Sequence, residues 1–203
     1  MIRGINNAKG IAKVAISGAT AVSNLLQDIR QKVTEGVNPA NTAAQQVLIQ
    51  NDYASLLQQM RQFMENSEFN GVNILIETNV PFNTIVGDVN DVEVLSDLQG
   101  RSITLEGQRL DLSYALLLQE NINTPANASQ TLTVLLQEER RVNNALASLG
   151  SNFRALEQQT KYLEILKDAS ETGLGNIVDS DMGPCQCRTN ILASPKRISC
   201  TDP

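Results

Sequence analysis

Residues 129–171 read SQTLTVLLQEERRVNNALASLGSNFRALEQQTKYLEILKDASE, with no proline and one glycine, Gly150. An apolar residue returns every three or four positions, which predicts one helix with a single apolar stripe. The stripe consists of Leu132, Leu135, Val142, Leu146, Leu149, Phe153, Leu156, Leu163 and Leu166. Because such a helix is far longer than an average globular helix, it needs partner helices along the stripe. The near-heptad spacing favours a helical bundle or coiled coil built for assembly.

Two earlier helical patterns supply candidate partners for this long helix. The first covers residues 9–34 and the second covers 42–66, with the breaker Gly36-Val37-Asn38-Pro39 between them. Asn38 or Asn41 can cap the second helix, with the proline near its first turn. The short connection predicts a helical hairpin, so the long helix gains two antiparallel neighbours.

Between the second and the long helix the period changes from helical to alternating. Short strands are predicted over 84–86, 92–95, 102–105 and 109–112, with Glu106-Gly107 as a tight turn between the last two. A short helical turn over 113–119 and a linker over 121–128 follow. The predicted fold class is mainly α: an elongated antiparallel helical bundle of two N-terminal helices plus one long C-terminal helix, with a small β-hairpin region inserted between.

The predicted organisation has four parts. Residues 1–75 form an N-terminal helical hairpin, 76–127 a small β region and linker, and 128–182 the long helix with an acidic segment. Residues 183–203 form an irregular, disordered or frameshifted tail, which holds every cysteine of the chain, Cys185, Cys187 and Cys200. Structural zinc sites use four ligands, and this tail offers no fourth, so we interpret the thiols as incidental.

Composition argues against several classes of function. The chain has no histidine, the usual acid, base or metal ligand near neutral pH, so we predict no enzyme, no metal and no other cofactor. A net charge of −6 argues against nucleic acid as a partner. The apolar runs are too short to cross a bilayer, so no membrane insertion is expected. The pairs Glu138 with Glu139 and Asp179 with Asp181 are interpreted as solvated helix faces or capping acids.

Four segments, in register, resemble bacterial flagellin. Residues 26–30 are similar to the family segment on the first of these helices, and 68–75 contain the Phe-Asn-Gly of the family's "QFNG" motif. Residues 92–112 resemble the short β region of compact alphaproteobacterial flagellins, and 173–182 the acidic segment after the long helix. Taken alone, Phe-Asn-Gly is interpreted as an ordinary helix C-cap whose glycine takes a positive φ.

The resemblance implies a secreted, extracellular structural subunit of the bacterial flagellum, which supports motility by self-assembly with other flagellin subunits. A flagellin export chaperone and hook-associated proteins are further implied partners. The alternatives are a hook-filament junction protein, which shares the helical core, and a cell-surface flagellin homologue that binds polysaccharide. The short β region favours flagellin over the first, and an aromatic content of 3% argues against the second.

The resemblance also assigns site residues. Arg30 matches a family position that contributes to protofilament packing and, in some members, is bound by an innate immune receptor of the host. Asp28 and Lys32 replace a usual basic residue and a usual leucine, which argues against receptor recognition, and a solvated helix charge is the alternative for Arg30. The resemblance also implies that Phe69, Asn70 and Gly71 take part in subunit packing or face the receptor.

Both ends of the chain depart from the family pattern. Flagellins use both ends as inner helices that drive polymerisation, whereas residues 1–8 resemble a segment well inside a family member, so we expect a truncated form that polymerises poorly or not at all. Beyond residue 182 the heptad pattern stops. DNA encoding this tail, read one base later from the Gly183 codon, permits Ala-Arg-Ala-Ser-Ala and later Leu-Gln-Ala-Gln, close to the family sequence. We therefore predict a frameshift near that codon.

Overall fold

The chain folds into helices and a two-stranded antiparallel sheet. The computed structural model describes residues 1–77, 91–97 and 99–193, with side chains described as far as residue 177. The elements are α1 (Ile2–Gly36), α2 (Ala43–Glu65), β1 (Val92–Leu95), β2 (Ser102–Leu105), α3 (Leu110–Gln119) and α4 (Pro125–Ala193). The chain divides into two units, Met1–Thr160 and Lys161–Pro203. The mainly helical fold class is confirmed.

α1 and α2 form the predicted helical hairpin. α1 begins at Ile2 rather than at residue 9, because Ile5 and Ala8 are buried and extend its apolar face. α2 begins after Thr42, whose hydroxyl oxygen accepts a hydrogen bond from the Gln45 backbone N–H at 3.3 Å. The Gln45 side-chain oxygen accepts one from the Thr42 N–H at 2.8 Å, which completes a capping box. The predicted cap at Asn38 or Asn41 was therefore wrong.

A single apolar core joins α1, α2, α3 and the part of α4 that lies in the first unit. Along α4, Leu135, Val142, Leu149 and Leu156 follow a heptad spacing and are each 0% exposed, which confirms this part of the predicted stripe. α4 runs antiparallel to α1, since Ala128 lies beside Gly36 and Glu139 beside Arg30.

β1 and β2 form a hairpin, and the Ser96 N–H donates to the Arg101 carbonyl at 2.7 Å beyond the paired residues. Val92 pairs with Leu105, and Leu95 pairs with Ser102. The Asp97 carboxylate accepts hydrogen bonds from the backbone N–H groups of residues 99 and 101 at 2.9 and 3.0 Å, and these bonds lower the pKa of Asp97. The turn predicted at 106–107 was therefore wrong, and the strand predicted over 84–86 lies outside the described residues.

Residues 109–112 do not form the predicted strand but lead into α3. Leu110, Tyr114 and Leu117 are buried at the i, i+4, i+7 spacing of a helix. Asp111 lies in the first turn, where the helix dipole favours a negative charge. A four-residue alternation of polar and apolar side chains was too short to separate a strand from the first turn of a helix.

α4 extends beyond both of its predicted limits. It begins at Pro125, and Thr124 Oγ1 accepts a hydrogen bond from the Asn127 N–H at 3.2 Å, so the predicted linker ends before residue 125. At its other end the helix continues through Ala193. The backbone of 183–193 is thus helical, in contrast to the irregular conformation predicted there. Residues 194–203 lie outside the described residues, and the frameshift stays a prediction.

Candidate functional site

Arg30 lies on the side of α1 that faces α4. Its Nη1 is 3.2 Å from Glu139 Oε2, and the two side chains are 48% and 18% exposed. The interpretation of Glu139 as a solvated helix face was wrong, because this carboxylate joins two helices of the bundle. Arg30 thus has a partner inside its own chain, and about half of its side chain remains open to other molecules.

The Phe-Asn-Gly motif forms a tight turn after α2. The Phe69 N–H donates to the Val72 carbonyl at 3.0 Å, and the Val72 N–H donates to the Phe69 carbonyl at 3.1 Å. The two central residues both have positive φ, 52° at Asn70 and 79° at Gly71. These angles define a type I′ turn, for which Asn-Gly is the favoured pair. The interpretation as a helix C-cap was wrong, since α2 ends at Glu65 and is capped by residue 66 in a right-handed conformation.

This turn packs on α1 at a glycine. A Cβ on Gly10 would lie 2.6 Å from Cε1 of Phe69, so the aromatic ring can approach only because that side chain is missing. The Asn70 side-chain amide donates to Asn7 Oδ1 at 2.6 Å. The structure therefore brings Phe69, Asn70 and Gly71 together on the N-terminal half of α1. Arg30 lies about 30 Å further along the same helix, given 1.5 Å per residue.

A row of polar side chains on α2 forms hydrogen bonds with backbone groups of α1, of α3 and of the segment that follows α3. Gln46 Nε2 donates to the carbonyls of Gly36 and Ile122 at 2.9 and 2.5 Å. The Gln50 side-chain oxygen accepts from the Ile122 N–H at 2.7 Å, and the Tyr53 hydroxyl donates to the Leu117 carbonyl at 2.7 Å. Burial raises the pKa of Tyr53 well above its ordinary value. These three side chains hold three helices in register.

Sequence reasoning missed this row, although a signal was available. Gln46 is only 5% exposed and stands at helical spacing before the buried Ile49 and Tyr53. A glutamine that continues an apolar stripe indicates a buried side chain with backbone partners, because a buried amide without partners is costly.

A second polar cluster lies where the chain enters α3. Arg109 Nη2 is 3.0 Å from Asp111 Oδ2, and Nη1 is 3.6 Å from Glu77 Oε2, with all three side chains less than a fifth exposed. The hydrogen bond to Asp111 raises the pKa of Arg109. Next to Arg109 is an open cleft of about 640 Å³, lined in part by Arg140 and Arg141.

A buried carboxylate on α4 corrects another interpretation. Glu138 is 2% exposed, and its Oε2 lies 3.3 Å from the Arg141 guanidinium, so Glu138 is not on a solvated helix face. Arg109 thus ties the start of α3 to Glu77, whereas the pair of Arg141 with Glu138 lies within α4.

Within the described ranges, no group of three or more histidine, cysteine, aspartate or glutamate side chains is arranged to hold a metal ion. Helices long and apolar enough to cross a membrane are also absent from that part of the chain. The side chains of Asp179, Asp181 and the three cysteines lie outside the described residues.

The second unit carries an uncovered apolar face on α4. Its large apolar side chains are between 43% and 68% exposed, namely Tyr162, Ile165, Leu166, Leu174 and Ile177. Glu164, Asp168 and Glu171 are exposed on the opposite side of the same helix. We call the five apolar residues the exposed apolar face. Leu166 belonged to the predicted buried stripe, and that part of the prediction was wrong.

Comparison with known proteins finds relatives although no protein-family model matches the chain. The chain is 28% identical to Flagellin FljJ of Caulobacter vibrioides over 176 residues, which are 85% of this chain and 60% of FljJ. Flagellin FljM and Flagellin FljK of the same bacterium are 23% identical over 186 residues, 91% of this chain and 64% of theirs. The chain thus spans less than two thirds of the length of these relatives.

The fold was also compared with solved structures. The crystal structure of Bacillus cereus flagellin superposes with a TM-score of 0.69 at 23% identity, covering 80% of this chain and 89% of that one. Fold and sequence therefore agree with the resemblance carried by the Phe-Asn-Gly turn and the long helix. The chain is therefore similar in sequence to the Caulobacter flagellins and shares the helical fold of Bacillus cereus flagellin.

Proposed function

We propose that the chain is a structural, non-enzymatic subunit of an extracellular bacterial flagellar filament, with other flagellin subunits as its partners. Similarity to the Caulobacter flagellins over most of the chain supports this proposal. A flagellin export chaperone and hook-associated proteins belong to the same proposal and rest on the family resemblance alone. The packing role of Arg30 likewise stays a proposal, supported by the exposed half of its side chain.

The observation that carries the proposal is the exposed apolar face of the second unit. Leu149 and Leu156 are fully buried, whereas Ile177, in the same heptad register, is 68% exposed. Ile165, which lies outside that register, is 67% exposed. Contiguous apolar surface of this kind marks an interaction site. An apolar face backed by an acidic one fits a neighbouring helix, because helix pairing buries the apolar side and leaves the charges in water.

Charge substitution on the exposed apolar face tests this role. The variant Ile165→Glu/Ile177→Glu places two carboxylates where a partner helix would bury them, and burying an unpaired charge is costly. Gly175→Glu is the control, because it adds a carboxylate on the acidic side of the same helix, where nothing lies within 4 Å of a new Cβ. Sedimentation velocity over a concentration series, with electron microscopy of the same samples, measures self-association.

The proposal expects the unchanged chain and Gly175→Glu to self-associate equally and the double variant to stay monomeric. Equal association of all three would show that the exposed apolar face is not the contact surface. A monomeric parent at every concentration would contradict self-association of this chain through that face. Long filaments grown by residues 1–203 would instead overturn only the expectation of poor polymerisation.

A further inference from the structure

Asn70 and Gly71 form the only Asn-Gly pair in the sequence. The backbone nitrogen that follows an asparagine can attack the side-chain carbonyl carbon, and glycine hinders this attack least because it has no Cβ. Both residues are exposed, and nothing lies within 4 Å of the position that a Gly71 Cβ would occupy. Among the described residues, no carbonyl accepts a hydrogen bond from the Gly71 N–H. Nucleophile and electrophile are thus adjacent and open to water.

We propose that Asn70 is a site of spontaneous deamidation, and that the hydrogen bond from its side chain to Asn7 restrains the reaction. The Gly71 nitrogen loses its proton to solvent and bonds to Cγ of Asn70. The Cγ–Nδ2 bond breaks, and Nδ2 leaves with a solvent proton as ammonia. Water then opens the resulting five-membered imide at either carbonyl, which leaves an aspartyl or an isoaspartyl residue at position 70.

The structure supplies the restraint on this reaction. Asn70 Nδ2 is held by Asn7 Oδ1 at 2.6 Å, and the reciprocal hydrogen bonds of Phe69 and Val72 hold the turn closed. Ring closure requires the Asn70 side chain to leave Asn7 and to swing over the Gly71 nitrogen. The reactive conformation is therefore populated only when the turn has opened locally.

Deamidation at this position would alter how the turn packs on α1. A carboxylate at position 70 cannot donate to Asn7 Oδ1, so the existing hydrogen bond is lost. An isoaspartyl residue also inserts an extra carbon into the main chain between Phe69 and Val72, which disrupts their paired hydrogen bonds. Since Phe69 packs directly on Gly10, the modification loosens the contact between the turn and α1.

Peptide mapping by mass spectrometry tests the proposal on the full chain, aged in mildly alkaline buffer. The three samples are the unchanged chain, Asn7→Ala, and the control Asn143→Ala, which removes an exposed asparagine from α4. Position 70 is expected to deamidate first in each sample. Asn7→Ala should raise its rate about fivefold, the factor that corresponds to a net hydrogen bond of about 1 kcal/mol. Asn143→Ala should leave the rate unchanged.

The readout is the rate at position 70 divided by the mean rate of the other asparagines. Global destabilisation by Asn7→Ala would raise the deamidation rates of all asparagines and leave this ratio unchanged. Loss of the local restraint would raise the rate at position 70 alone and therefore raise the ratio. A faster reaction at any other asparagine of the unchanged chain would overturn the site assignment. An unchanged ratio in Asn7→Ala would overturn the restraint.

Discussion

Gly18 of α1 packs against the segment after α2, and Gly18→Ala tests whether this packing depends on a missing side chain. A Cβ on Gly18 would lie 1.8 Å from Ser67 Oγ, 2.8 Å from Ser67 Cβ and 3.0 Å from Leu75 Cδ1. Rotating the Ser67 hydroxyl away relieves only the first of these contacts. It also breaks the 2.6 Å hydrogen bond that this hydroxyl donates to the Phe63 carbonyl.

The expected change in the free energy of unfolding combines two destabilising contributions and one stabilising contribution. Overpacking a tight core site costs about 1–3 kcal/mol, and losing the Ser67 hydrogen bond costs about 1 kcal/mol. Replacing a mid-helix glycine by alanine returns about 1 kcal/mol through helix propensity. Gly18→Ala is therefore expected to lower the free energy of unfolding by about 1–3 kcal/mol.

Urea unfolding followed by far-ultraviolet circular dichroism measures this change, and Gly150→Ala is the matched control. Gly150 lies inside α4 with nothing within 4 Å of a new Cβ, so the same substitution there should stabilise by about 0.5–1 kcal/mol. In the double variant Gly18→Ala/Ser67→Ala, the shortest contact is gone and part of the loss should return. If Gly18→Ala stabilises the chain as much as Gly150→Ala does, the close-packing argument is refuted.

Three further outcomes are expected in the same unfolding assay. Arg30→Ala should cost at most about 1 kcal/mol, because its pair with Glu139 is half exposed and screened by water, and a larger loss would show that the pair matters more than its exposure suggests. Gln46→Ala should cost about 1–3 kcal/mol, because two buried carbonyls lose their donor, and an effect as small as that of Arg30→Ala would contradict this. The pKa of Tyr53 is raised in the folded chain, so its phenol loses a proton at lower pH in the unfolded chain than in the folded one. The contribution of Tyr53 to the free energy of unfolding is therefore constant below about pH 10 and falls above it. Tyr53→Phe should flatten that fall, and an identical fall in the variant would contradict it.

The helices could be predicted because each carries a long apolar period. The stripe of α4 from Leu135 to Leu156 and the hairpin of α1 with α2 were both found in this way. Their ends were less accurate, since the caps depend on single side chains. Thr42 with Gln45 is a capping-box pattern, but the nearby asparagines and proline offered competing start signals.

The β region shows why short segments mislead. Residues 92–95 and 102–105 were correctly predicted as strands, whereas 109–112 alternate in the same manner and yet begin α3. The difference comes from tertiary contacts: the Leu110 N–H donates to the Leu75 carbonyl, and Arg109 is held by Asp111 and Glu77. Leu75 and Glu77 lie more than 30 residues before this segment, so they cannot be inferred from four residues of local pattern.

On the exposed apolar face, side chains that are apolar at helical spacing are nevertheless not buried. The heptad register of Leu149 and Leu156 continues with apolar residues at Leu163 and Ile177 and is interrupted by Ser170. Leu163 is half-buried and Ile177 is 68% exposed, although both follow the register of Leu149. A period specifies which side of a helix is apolar, whereas burial depends on the molecule that covers it. For residues 161–177 that cover is what the proposed filament contact would supply, and the charge substitutions at Ile165 and Ile177 measure whether it does.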